Sequence, residues 1–358
     1  MRITVIGAGN GGTALAAYLS LNGNIVTLYN RSEEKILPLV ESKIIKLRGK
    51  INTSVRIFNA TTDLKKAVME AEVIMIVVPA YAHKEIAEKI SLFLQDGQTI
   101  ILNPGRTYGA LEFYTTLKKN ACSKDVIVAE AQTFIFASRL LRPGISRIFG
   151  IKNHVPISTV PATKNNSLKK IVKNVLEQFD VVDNSLYTSF SNIGAVFHPA
   201  TILFNIARME SLPDKFEFYL EGISPSVAKI LEEVDRERCA VAKKMGVEVL
   251  TAKEWLNYVY SVNEDSLYES IRKNKSYQGI LVPLTLHNRY VYEDIPMSLV
   301  PISSTAKHLG MNTPTIDSII QVGSVMTEKD LYSMGRTLEN LGFKNIEELK
   351  EVLKGGTN

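Results

Sequence analysis

Along the first 131 residues, apolar positions come as short unbroken runs separated by stretches of helical spacing. Residues 2–6 (RITVI), 24–29 (NIVTLY), 71–80 (AEVIMIVVPA), 99–105 (TIILNPG) and 125–131 (DVIVAEA) are apolar or β-branched over most of their length, the pattern of strands covered on both faces. The alanine-rich stretch that closes at Gly23 and residues 82–94 read as helices between them. This alternation predicts a doubly wound parallel sheet. From about residue 186 the period changes. Segments 193–212, 224–246, 251–259, 263–273, 300–309 and 313–327 are spaced as helices, and the tail from residue 331 adds two short ones.

The two textures set an expected division into domains 1–185 and 186–358, the second all-helical. No Gly/Ser/Pro-rich linker separates them, so they are expected to pack across a cleft. At 358 residues, each half is long enough to bury its own core. The chain is 45% hydrophobic and 22% charged with a net charge of +5, and its basic clusters are as short as Lys169-Lys170 and Lys243-Lys244. That is no nucleic-acid footprint, and it suits anionic small molecules. Cys122 and Cys239 lie too far apart to supply a disulfide framework or a metal-ligand spacing, so neither metal nor an oxidising compartment is expected and the cytoplasm is. The apolar run after Arg2 is about five residues and none later reaches the roughly 18 that a spanning helix needs, so no signal peptide or membrane segment is expected.

The turn after the first strand reads GAGNGG, with Gly7, Gly9 and Gly12 at the G-x-G-x-x-G spacing inside a strand–turn–helix–strand unit. In that context the spacing marks a Rossmann-type dinucleotide site: Gly7 for the turn, Gly9 for close backbone approach to a pyrophosphate, Gly12 for packing of helix on strand. Asn10 and Gly11 complete the loop. At the end of the second strand, where NAD sites present an acid to the ribose, stand Asn30, Arg31 and Ser32. A guanidinium in place of a carboxylate favours NADP, because Arg31 can pair with a 2′-phosphate. Glu33 and Glu34 follow at once and leave NAD open, as does a reading of Arg31 as a solvated loop residue. Pro79 and the Asn103-Pro104-Gly105 turn sit at strand ends, where such sheets bind ligands, although chain punctuation explains them equally well.

In the helical half, IGAVFHPATILFNIARM (193–209) sets one histidine, His198, in an almost wholly apolar run. Alone, it reads as a core histidine satisfied by a carbonyl. A carboxylate partner would turn it into an oriented general acid, and the segment NRYVYEDIPMSLVPI (288–302) offers Glu293 and Asp294. These acids are expected on an extended segment because of the proline that follows, with a solvated loop acid as the alternative reading. Pro199 is expected to distort the helix beside His198.

Taken together, GAGNGG, NPGRTYGALEF (103–113), AEAQTFIFASR (129–139), FHPATILFN (197–205) and RYVYEDIPMSLVPI (289–302) resemble the opine dehydrogenase family, which includes octopine and nopaline dehydrogenases. The likeness runs from residue 1 to about residue 325; Met297-Ser298 replace a glycine that the family often shows before L-V-P. The resemblance implies a Rossmann domain, a helical carboxy-terminal domain and the NAD(P)H-dependent condensation of an amino acid with a 2-oxo acid. It carries the catalytic pair onto His198 and Asp294. The substrate carboxylates call for cations, for which Arg139, Arg208 and Arg289 are candidates, each with a salt-bridge alternative. Asn205, about two turns after His198, is a weaker candidate on the same helix face.

Two other functions fit less well. A two-domain reductase of the ketopantoate or glycerol-3-phosphate type would act without an amine, but relies on a lysine where this chain has H-P and E-D-x-P. A dinucleotide sensor without chemistry would not need His198 and Asp294. Oligomeric state is left open, with a homodimer allowed.

Overall fold

The computed structural model of the chain describes residues 1–211 and 216–355. It divides into two units: Met1–Gly105 with Gly109–Thr188 and the residues from Val352, and Arg106–Tyr108 with Ser189–Glu351. The boundary at 188/189 falls three residues beyond the one read from the sequence. The three-residue stretch Arg106–Tyr108 belongs to the second unit, which no change of texture announces.

The first unit runs β1 (Arg2–Ile6), α1 (Gly12–Leu21), β2 (Ile25–Tyr29), α2 (Glu33–Ser42), β3 (Ile44–Gly49), β4 (Thr53–Arg56), β5 (Asn59–Thr61), α3 (Leu64–Met69), β6 (Val73–Ile76), α4 (His83–Ile90), β7 (Thr99–Leu102), α5 (Gly109–Lys119), β8 (Ile127–Ala131), β9 (Phe136–Arg142), β10 (Ile145–Ile151), β11 (Val155–Val160), α6 (Asn165–Val172) and β12 (Phe179–Val181). Eight strands form one sheet in the order β12-β11-β8-β7-β6-β1-β2-β5. It is parallel from β5 to β8, while β11 pairs with β8 antiparallel. The strands with unbroken apolar runs are those buried in the middle: Val73, Ile74, Met75 and Ile76 are all inaccessible. The Rossmann-type reading therefore holds, with an antiparallel end that the sequence reading lacked.

A second sheet, β4-β3-β10-β9, had no counterpart in the sequence reading. Its strands alternate: in β3, Ile45 and Leu47 are buried while Lys46 and Arg48 are exposed. Interspersed Lys and Arg break the apolar run that betrays a central strand, and the period of two is short.

The second unit follows α7 (Ser185–Phe190), which spans the division, with α8 (Ile193–Leu203), α9 (Ile206–Ser211), α10 (Pro225–Met245), α11 (Ala252–Tyr260), α12 (Leu267–Lys273), α13 (Arg289–Tyr292), a π-helical turn at Ile295–Leu299, α14 (Val300–His308), α15 (Pro314–Thr327), α16 (Leu338–Leu341) and α17 (Ile346–Lys354), whose last residues fall in the first unit. Residue 212, the end of the helix expected at 193–212, and Gly356 of the tail lie outside the described residues. The best-signalled helices have cap chemistry. Ser224 accepts from Val227 N at the start of α10, Pro225 is its first residue, and Gly246 closes it at φ +97°. Thr251 and Glu254 form a capping box on α11. No helix among the described residues is long and apolar enough to cross a membrane.

Candidate active site

In the first unit the glycine turn is closed by contacts that leave no room for side chains. Gly7 has φ +114°, and a Cβ there would lie 2.4 Å from the Val77 carbonyl oxygen; a Cβ on Gly12 would lie 1.7 Å from the Gly7 oxygen. These two glycines let α1 close on β1. Gly11 backs onto the Phe134 ring, 2.8 Å from where its Cβ would be, whereas a Cβ on Gly9 would meet nothing within 4 Å. Open space at Gly9, beside the start of a helix whose first N–H groups lack intrahelical acceptors, fits a pyrophosphate.

The asparagines of this region shape the loop rather than present free amides. Asn30 Oδ1 accepts from Ala8 N (3.0 Å) and its Nδ2 donates to Ser32 O (3.1 Å). Asn10 Oδ1 accepts from Leu140 N (2.8 Å), and its carbonyl accepts from Ser138 Oγ (2.9 Å). Asn103 is buried at the end of β7, donating to Ile101 O (2.8 Å), with its Oδ1 unpartnered among the described residues. Pro79 opens a short 3₁₀ turn after β6. The Arg31 side chain is 75% exposed and stands 3.6 Å from Glu85, whose other oxygen is 2.5 Å from Lys89. The hydrogen bond from Lys89 holds the Glu85 carboxyl below its ordinary range.

In the second unit, His198 on α8 meets Asp294, with Nδ1 to Oδ2 at 2.8 Å. Asp294 is inaccessible and the histidine side chain is 14% exposed. A carboxylate only accepts, so the contact assigns the hydrogen to Nδ1 and leaves Nε2 facing Tyr219 Oη at 3.1 Å. Burial pushes the Tyr219 phenol well above its ordinary range, so it keeps its proton and donates to neutral Nε2. Tyr290 stacks on the imidazole at 4.1 Å.

Asp294 is not on an extended segment. It is helical (φ −75°, ψ −26°), and its N–H donates to Arg289 O five residues back, as Leu299 N does to Asp294 O. The wider π turn accommodates Pro296, and the proline has no N–H to leave unbonded. Nor does Pro199 end α8, which continues to Leu203.

Sequence reasoning missed Arg106. Its Nε lies 3.2 Å from Glu293 Oε1, and its NH1 lies 3.1 Å from Asp294 Oδ1 and 3.2 Å from Asn192 Oδ1. Asn192 donates in turn to Ser298 Oγ (2.6 Å). Arg289 Nε lies 2.5 Å from Glu293 Oε2. Two carboxylates thus sit among two guanidiniums and an imidazole. Burial works against the charge of Arg106 and of Arg289, but the neighbouring acids more than offset it and raise both above their ordinary range. Within NPGRTYGALEF, Arg106 and Tyr108 take positive φ (+62° and +60°), a conformation that non-glycine residues adopt only when their surroundings hold it. Here Thr107 N donates to Met297 O, Thr107 Oγ1 to Ser189 O, and Arg336 to Thr107 O.

The other nominated residues fall elsewhere. Asn205 lies beyond the end of α8 and spends its amide on Thr201 O and Gly222 O. Arg208 pairs with Glu221 (2.9 Å) over the Phe216 ring. Arg139 is exposed on β9 of the small sheet.

The order of the two units agrees with comparisons to known proteins. Residues 181–327 match the model of the NAD/NADP octopine/nopaline dehydrogenase alpha-helical domain, and residues 2–128 match that of the NAD-dependent glycerol-3-phosphate dehydrogenase N-terminus. The opine dehydrogenase of Arthrobacter sp. (strain 1C) is 38% identical over 343 residues, 96% of this chain and 95% of its own. Octopine dehydrogenase, solved with NADH and agmatine, L-arginine or pyruvate, superposes with TM-scores of 0.81, 0.80 and 0.79 at 20–21% identity, over 100% of this chain and 99% of its own. Yersinopine dehydrogenase with NADP+ bound gives 0.76 at 17% identity, over 99% and 98%. The chain therefore belongs to the opine dehydrogenase family of NAD(P)-dependent oxidoreductases.

Proposed function

We propose that the chain condenses the amine of an amino acid with a 2-oxo acid such as pyruvate, with NADPH as reductant and His198 as the general acid and base. The observation that carries the reading is the 2.8 Å contact of His198 with an inaccessible Asp294. The ligands held by octopine dehydrogenase, L-arginine in one complex and pyruvate in another, support the two co-substrates.

Amine and carbonyl first give a carbinolamine, which loses water to form an imine. Protonated at Nε2, His198 donates to the departing hydroxyl, and Asp294 stabilises the imidazolium through Nδ1. General acid–base help of this kind is worth about 10²–10⁴-fold. Tyr219 Oη accepts from Nε2–H until a substrate oxygen replaces it. Arg289 is half exposed and anchored through Nε by Glu293, a geometry suited to receiving a substrate carboxylate. The Gly7–Gly12 turn would hold the pyrophosphate of the dinucleotide, which when bound would supply the hydride needed to reduce the imine to a secondary amine. Arg31 forms only a long, exposed ion pair with Glu85 (3.6 Å), which a 2′-phosphate could replace, and this favours the phosphorylated cofactor.

The test mixes the protein with NADPH or NADH, pyruvate and a panel of amino acids while following cofactor absorbance. Oxidation should require both co-substrates and proceed with higher kcat/KM for NADPH; turnover on the 2-oxo acid alone would overturn the condensation. His198→Ala should lower kcat about 10²–10⁴-fold with cofactor affinity unchanged.

A further inference from the structure

We infer that Arg106 is a positioning residue of this site, acting on the histidine through Asp294. The inference rests on the acid–base reading of His198. Four observations converge on it. The guanidinium is only 11% exposed, so its partners are those of the protein. It spans both acids, one nitrogen on Glu293 and another on Asp294 Oδ1, and thereby leaves Asp294 Oδ2 for the imidazole. Asn192 Oδ1 orients the same NH1 from the start of α8, the helix that carries His198. Finally, α8 makes room for it: a Cβ on Gly194 would lie 2.4 Å from Arg106 NH1, 3.1 Å from Asp294 Oδ1 and 3.2 Å from Asn192 Oδ1.

A carboxylate held on one side only can rotate about its Cβ–Cγ bond and trade oxygens. Asp294 is met at both, Oδ2 by the hydrogen bond with the ring and Oδ1 by the 3.1 Å ion-pair contact of Arg106 NH1, which lies outside hydrogen-bond geometry and acts by charge; the direction of Oδ2, and with it the ring plane of His198, is thereby set before substrate arrives. Arg106 thus contributes by orientation, and the reaction needs no contact between it and substrate.

The test compares steady-state kinetics of Arg106→Gln, Arg106→Lys and Gly194→Ala with those of the unaltered chain. Arg106→Gln should lower kcat about tenfold or more while leaving the KM of both co-substrates within about threefold. Arg106→Lys restores a cation without the fork and should recover part of kcat. Gly194→Ala, which keeps the charge but displaces NH1, should lower kcat as well, and it serves if Arg106→Gln does not fold. In an Asp294→Asn background the Arg106→Gln change should cost no more than about a further twofold, because its effect passes through the carboxylate already lost. A raised KM for the 2-oxo acid at unchanged kcat would make Arg106 a substrate contact and overturn the inference. So would full activity of a folded Gly194→Ala chain, or additive losses in the double variant. Failure of the acid–base reading is separable: it shows as normal turnover of His198→Ala.

Discussion

On the acid–base reading proposed above, the site turns on which partner each oxygen of Asp294 meets. Arg106 takes Oδ1 and the imidazole takes Oδ2. Asp294→Asn would then present its amide in one sense only, because a guanidinium accepts nothing: the amide oxygen turns to Arg106 and the NH₂ faces Nδ1. The ring must answer with its hydrogen on Nε2, the wrong tautomer for the neutral base. A kcat loss of about 10²–10⁴-fold is expected at unchanged cofactor affinity, read by steady-state kinetics and fluorescence titration; a loss below about threefold would remove Asp294 from this role. His198 and Asp294 were both legible in the sequence, but only through the motifs around them, since a lone histidine in an apolar run has a duller explanation. Arg106 was not legible, because what gives it meaning lies 187 residues away at Glu293. Asn205 and Arg208 show the opposite case, of candidates that find partners nearby. Each meets its needs locally, within 17 residues of its own position.

Among the elements, the glycine turn separates two kinds of glycine requirement. Gly12→Ala puts a Cβ where the Gly7 oxygen already stands, and the backbone must move at a cost of about 3 kcal/mol or more, so both Tm and cofactor binding should fall. Gly9→Ala meets no atom of the protein, so Tm should stay within about a degree while cofactor affinity drops about tenfold or more. Thermal unfolding beside cofactor titration checks the pair; wild-type affinity in Gly9→Ala would move the pyrophosphate away from this turn. The helices were legible wherever caps agree with period, as at Pro225–Met245, expected at 224–246. The four-stranded sheet and the π turn were not. The first lacks unbroken apolar runs, and in the second the chain stays helical across Ile295-Pro296 against the pre-proline preference, the wider turn relieving the clash of the proline ring with the carbonyl one turn back.

At the scale of the whole molecule, the helical unit rests on a buried ion cluster as well as an apolar core. Arg238 on α10 is fully inaccessible; it is bound to Asp235 Oδ1 and to the carbonyls of Phe190 and Leu250, while Asp235 Oδ2 accepts from Ala252 N (2.6 Å). Arg238→Met leaves the Asp235 charge buried with one donor, at a cost of about 3–5 kcal/mol. The melting of this unit should fall by roughly 10 °C. Adding Asp235→Asn should recover part of the loss, and a calorimetric scan that finds no fall would refute the assignment.

One tie in the first unit bears on how the protein comes to be made. The Asn10 side chain is clasped by Leu140 N, 130 residues further along, and its carbonyl by Ser138. Strand, turn and helix at the amino terminus are specified by neighbours in sequence, but the set of the loop between them waits on a hairpin formed from distant chain. Closing so long a loop is among the slower steps available to a folding chain. Affinity for the dinucleotide would then be acquired late, and cofactor binding followed during refolding should lag behind the far-ultraviolet signal of secondary structure.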